Sequence, residues 1–209
     1  MWRLLRPLKY FALINREKYL IDIFGALFIG AMIFLPFALV DGAAFFRSGG
    51  LLDRIGGLAA TLTGFYVAAL VAAATFSHAD LDKEMEDGAV YRRVHDGEGV
   101  SKKERLTRRE LACEIFGYLA FASLLFAVTA AISVPIANAV PNVPSWANDQ
   151  IGDLLIAAHP WARQLAMAAA SLMLGHILTV TGLGIYYLTD RLHYHTPTVV
   201  SQYSDPKSD

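Results

Sequence analysis

Cysteine is almost missing from this chain. Cys113 stands alone among 209 residues, which excludes internal disulfides and any metal site built from several thiolates. An excess of charge is missing too, because eighteen Lys and Arg against nineteen Asp and Glu leave a net −1. No overall field therefore draws the protein to nucleic acid, and no direct nucleic-acid contact is expected. A phosphate loop, a Gly-x-Ser-x-Gly elbow and a His-Glu-x-x-His helix are also absent from the sequence, and with them goes the motif-level case for catalysis. The expectation is a protein that is not an enzyme and carries no cofactor or metal. An intramembrane enzyme or transporter built on sparse polar groups is the remaining alternative of that kind.

What the chain has is hydrophobicity: 55% of its residues are hydrophobic and its mean hydropathy is +0.41. Four apolar stretches, at about 20–40, 55–76, 111–140 and 163–188, are each long enough to cross a hydrocarbon core, which takes roughly 20 helical residues. Backbone groups inside lipid must pair within their own segment, so runs this long are helices. A barrel would need alternating strands, and Ala72-Ala73-Ala74 and Ala168-Ala169-Ala170 do not alternate. The expected fold class is all-α and polytopic, with four transmembrane helices.

Orientation follows from Lys and Arg. Five precede the first span, eight lie between spans two and three, two follow span four, and only Arg47, Arg54 and Arg163 fall on the other side. Cytoplasmic flanks retain such cations, so both termini are expected on the cytoplasmic side. The first span with its basic flank also has a signal-peptide look, but its apolar stretch of about 20 residues exceeds an h-region. Trp146, Trp161, Tyr186 and Tyr187 bracket the interfaces.

Around the spans, Trp2, Leu5, Leu8 and Phe11 recur every third residue among Arg3, Arg6 and Lys9. That spacing suits a short helix in the inner headgroup layer over residues 1–19, with a disordered basic tail as the other reading. The cytoplasmic loop, 77–110, holds Asp87-Gly88 and Asp96-Gly97 turns around a strand-like Ala89–His95, so a small β-hairpin is expected. Thr107 to Glu110 is a capping-box pattern at the start of helix three, and Ser101 to Glu104 repeats it, so that helix is open to an earlier start. In the outer loop, 141–160, Ile151, Leu154, Leu155 and Ala158 are spaced like a separate amphipathic surface helix. Residues 189–209 form a polar cytoplasmic tail, where His193 and His195 with Asp190 diverge rather than converge on a metal.

Candidate functional residues fall in three groups. Arg92, Arg93, Lys102, Lys103, Arg105, Arg108 and Arg109 offer a basic face to a cytoplasmic protein partner or to anionic lipid. His176, an ionisable residue inside span four, forms with Thr61 and Thr63 a candidate intramembrane polar site, the structural alternative being that the imidazole merely bonds a Thr of a neighbouring helix. Asp22 and Glu114 read either as carboxylates lining an inner vestibule or as partners of Lys18 and of a helix terminus. Small residues four apart, namely Ala26 and Gly30, Ala60 and Gly64, and Ser171, Gly175 and Thr179, are packing faces for intrachain or interchain contact, so a homo-oligomer is open to the chain.

The junction from Leu81-Asp82-Lys83 through Leu106-Thr107-Arg108-Arg109-Glu110 to Phe116-Gly117-Tyr118-Leu119-Ala120, with four spans and inner termini, resembles the KwaA family, the membrane subunits of the Kiwa anti-phage system. The resemblance implies a homo-oligomeric inner-membrane sensor that docks a cytoplasmic DNA-binding partner and is not itself catalytic. From the residues alone the leading expectation is an oligomeric membrane subunit coupled to a cytoplasmic partner. A small channel or pore-forming effector, motivated by His176 and the threonines of span two, is the alternative.

Overall fold

The structure is a computed structural model that describes residues 2–13, 16–40, 42–76, 81–82, 84, 90–95, 101–139 and 149–189, with side chains at 2–6, 16–17, 93–95, 101–102, 139, 149–158 and 188–189 outside the description. The tail at 190–209, with His193 and His195, and the turns at 87–88 and 96–97 lie outside the described residues.

A 3₁₀ helix, Trp2–Ala12, opens the chain. Helix α1 (Arg16–Leu39) and helix α2 (Leu51–Thr75) follow, then strands β1 (Tyr91–His95) and β2 (Ser101–Arg105), helix α3 (Arg108–Ala139) and helix α4 (Asp149–Thr189). All four α-helices are long and apolar enough to span a membrane, with mean hydropathies of 2.2, 1.8, 2.2 and 1.6 over their richest windows. Their apolar residues do not sort into an inner stripe: Phe24, Phe28, Met32, Phe65 and Ile132 stand exposed. A helix that is apolar all round expects lipid on its outer side.

Three boundaries differ from the sequence expectation. Helix α2 begins at Leu51 rather than at 55, because Asp53 accepts the Gly49 amide at 2.7 Å and Arg54 Nε donates to the Gly49 carbonyl at 2.9 Å, which builds a polar first turn. Ser101 to Glu104 does not extend helix three. It is strand β2, paired antiparallel with β1 from Tyr91 against Arg105 to His95 against Ser101. A Ser-x-x-Glu pattern satisfies only helix-end amides, whereas the ladder satisfies the whole segment. Finally, the surface helix expected near Asn148 to Ala158 and the fourth span are one helix of 41 residues with Pro160 inside it. At 1.5 Å per residue it is about 60 Å long, roughly twice a hydrocarbon core.

Packing is pairwise. Helix α2 lies along α3, α1 lies along α4, and α3 meets α4 over a shorter seam. The α1–α4 contact is built on small residues. A Cβ placed on Gly175 would stand 2.6 Å from both the Ala26 carbonyl oxygen and the Gly30 nitrogen, and one on Gly30 would stand 3.1 Å from Leu172 Cα. Ala26, Gly30, Ser171, Gly175 and Thr179 therefore belong to an intrachain interface, whereas Ala60 and Gly64 stand on an exposed face of α2, with nothing within 4 Å of a Gly64 Cβ. Dispersion contact between closely approaching backbones is what holds helices together in lipid.

Candidate functional site

The polar residues of the bundle gather where the N-terminal 3₁₀ helix meets α1, α3 and α4. Lys18 and Asp22 sit one turn apart on α1, and their side chains form an ion pair at 3.0 Å with only 5% and 8% exposure. Tyr10, fully buried, reaches in from the 3₁₀ helix and donates its hydroxyl to both Asp22 oxygens at 3.0 and 3.1 Å. Burial first, then the Asp22 charge, push the Tyr10 phenol far above its ordinary range, so it remains the donor. The Lys18 ammonium lies 3.5 Å from the centre of the Tyr10 ring, a cation–π contact strengthened by desolvation. Tyr10 stacks on Tyr118 of α3 with centroids 4.7 Å apart.

His176 of α4 completes the cluster. Phe11 stacks on its ring at 5.5 Å and 14°, and Tyr118 meets it edge-on at 5.5 Å. Its charged neighbours are Asp22 and Lys18. Its Nε2 is buried without a hydrogen-bond partner. The expected grouping of His176 with Thr61 and Thr63 is not formed. Thr61 donates to the Gly57 carbonyl at 3.2 Å and Thr63 to the Ala59 carbonyl at 2.9 Å within their own helix, and Thr129 likewise bonds the Leu125 carbonyl at 2.7 Å. A hydroxyl on a membrane helix finds its nearest acceptor four residues back. The polar bridge from α2 to α4 is instead Tyr66, whose hydroxyl lies 2.7 Å from Thr181 Oγ1. Thr181 donates to the Ile177 carbonyl at 2.7 Å, so Tyr66 is the donor.

Sequence reasoning read Lys18 and Asp22 as a possible pair, correctly, since four-residue spacing brings them together. It missed Tyr10, Phe11 and Tyr118 as site residues. The three-residue spacing of Leu8 and Phe11 is the period of a 3₁₀ helix, but this face is the exposed one, with Phe11 59% exposed, while Tyr10 beside it points inward.

The basic loop forms a second, outer site. Arg109 donates through Nε and Nη2 to the two oxygens of Asp82, at 2.7 and 3.3 Å, and through Nη1 to the Ala73 and Phe76 carbonyls at 3.1 and 2.6 Å. It thereby closes the C-terminal end of α2, whose last carbonyls lack helical donors. Hydrogen bonding from Arg109 holds the exposed Asp82 carboxyl below its ordinary value. Arg92 pairs with Glu104 at 3.2 Å and Glu110 at 3.4 Å, and Arg105 with Glu84 at 3.8 Å. The capping box at α3 is formed as expected, Thr107 N donating to Glu110 Oε2 at 3.1 Å and Glu110 N to Thr107 Oγ1 at 3.2 Å. Val90 and Leu106, each 1% exposed, pin the hairpin base. Among the described residues Lys103 and Arg108 meet no carboxylate, and the side chains of Arg93 and Lys102 lie outside the description.

Fold and sites together define a class: a four-helix bundle of membrane-spanning length, with a β-hairpin clamped to one end and a buried polar cluster just inside it. No protein-family model, curated protein or solved structure matches the chain.

Proposed function

We propose that the chain is a non-catalytic, homo-oligomeric subunit of a bacterial inner membrane, with both termini and the hairpin in the cytoplasm, and that the hairpin is the docking element for a soluble protein partner. One observation carries this reading. The hairpin is bound to the first turn of α3 by Arg92 on Glu110, and that same turn is bound to the end of α2 by Arg109 on the Ala73 and Phe76 carbonyls, so displacement of those helices is passed to whatever the hairpin holds. Lys103 and Arg108, which among the described residues stand outside these clamps, serve as contacts to the partner or to anionic headgroups. The orientation rests on the fifteen cations of the termini and central loop against three on the other side. The resemblance to the Kiwa membrane subunits adds a sensing role in anti-phage defence.

Cross-linking in intact cells, followed by purification of the full-length protein and mass measurement in detergent, tests the reading. The expected result is an oligomer with a co-purifying cytoplasmic protein that is lost in the Lys103→Glu, Arg108→Glu variant. A monomer with no partner overturns it. The pore reading no longer has its motivating pair, because the polar neighbours of His176 are Asp22 and Lys18 and the hydroxyls of Thr61 and Thr63 turn to their own helix.

A further inference from the structure

Beside the buried ion pair lies a cleft of about 550 Å³ between the 3₁₀ helix, α1 and α4, within the roughly 300–1,000 Å³ typical of small-molecule sites. At one end stand Lys18, Asp22 and His176, and its remaining walls are almost wholly apolar. Leu27 and Leu172 on its rim are 53% and 44% exposed. Both belong to helices of membrane-spanning length, so the cleft opens sideways toward lipid rather than along the bundle axis.

Three observations narrow the occupant. First, Lys18 and Asp22 neutralise one another, and Asp22 is further occupied by the Tyr10 hydroxyl, so a charged headgroup would have to break that pair, at a high cost in a dry site. Second, His176 Nε2 is a buried polar atom that lacks a partner, and such vacancies are rare. Third, a ring already lies flat on the imidazole, that of Phe11, at 14° between planes, and Phe11 is itself largely exposed. The face of His176 is thus a slot for a planar ring, covered by a largely exposed residue that is otherwise held only by edge contacts with Tyr10 and Tyr118.

We propose that this cleft binds a neutral membrane lipid of the prenyl-quinone class. The head's ring replaces that of Phe11 on His176, its carbonyl or hydroxyl oxygen partners Nε2, and its tail leaves between Leu27 and Leu172. With the other imidazole nitrogen hydrogen-bonded to the Asp22 backbone, Nε2 accepts from a quinol hydroxyl in the neutral ring and donates to a quinone carbonyl in the protonated ring, so either head finds a partner there and no redox step by the protein is required. The inference is independent of partner docking at the hairpin.

The test uses the full-length protein in phosphatidylcholine nanodiscs with a short-chain benzoquinone carrying a diazirine on its tail. Saturable photolabelling within residues 19–27 and 169–176, displaced by the unlabelled quinone, is expected. His176→Phe keeps the aromatic stack but loses the hydrogen bond and lowers affinity about tenfold, whereas Phe11→Ala raises it. Ala169→Trp fills the cleft and abolishes labelling, which keeps the test decisive should the His176 variant fail to fold. Labelling that does not saturate, labelling that survives Ala169→Trp, or equal displacement by phosphatidylglycerol or diacylglycerol overturns the proposal.

Discussion

Asp22 shows how much rests on one side chain. It receives Tyr10 and Lys18 at once in a site shielded from water. Asp22→Asn would leave the Lys18 ammonium without its carboxylate, and breaking a buried pair from one side costs about 3–5 kcal/mol. The single variant should therefore melt well below wild type in detergent, and adding Lys18→Met should recover most of the loss. Gly175 makes the complementary case. Even a methyl group there collides with the backbone of Ala26 and Gly30, so Gly175→Ala should destabilise by about 1–3 kcal/mol, the usual cost of overpacking. Gly64→Ala meets open space and should leave the melting midpoint unchanged. The two glycines occupy the same small-residue pattern in the sequence, and only the neighbouring helix distinguishes them.

At the scale of elements, the hairpin was legible in part. The strand content of Ala89–His95 announced β1, whereas its partner Ser101–Arg105 reads locally as a helix start and becomes a strand because β1 is there to pair with it. Arg109 was read as one member of a basic face, yet it is the C-terminal clamp of α2, a role that depends on residues more than thirty positions earlier. The clamp has a defined response to pH. Arg109 lowers the Asp82 carboxyl relative to its unfolded value, so its contribution is complete above the unfolded carboxylate pKa of about 4 and is lost as pH falls through the lower folded value. Acid titration of the thermal midpoint should show this loss in wild type, below about pH 4. Arg109→Met should have a lower midpoint at neutral pH and lack that part of the acid response.

For the molecule as a whole, the two tight pairs, α1 with α4 and α2 with α3, are joined by a shorter seam, and the 3₁₀ helix bridges it by setting Tyr10 against Tyr118, Asp22 and Lys18 and Phe11 against His176. A segment that joins both pairs should be worth more to stability than its length implies. Deleting residues 2–13 is expected to lower the melting midpoint and to make Tyr118 and His176 accessible to chemical modification, with the four spans retained by circular dichroism. A midpoint equal to that of wild type would contradict the bridging role.

The four helices and the capping box before α3 are encoded locally. Hydropathy over twenty residues is a property of the segment, and a Thr-x-x-Glu cap closes within one turn. Which small-residue faces lie inside the chain, where β2 pairs, and how the N-terminal segment joins the bundle are set by packing between distant segments. Each of those depends on a surface supplied from far along the chain. Tyr10 finds its acceptor twelve residues on and its stacking partner on α3, and no local pattern encodes contacts of that range.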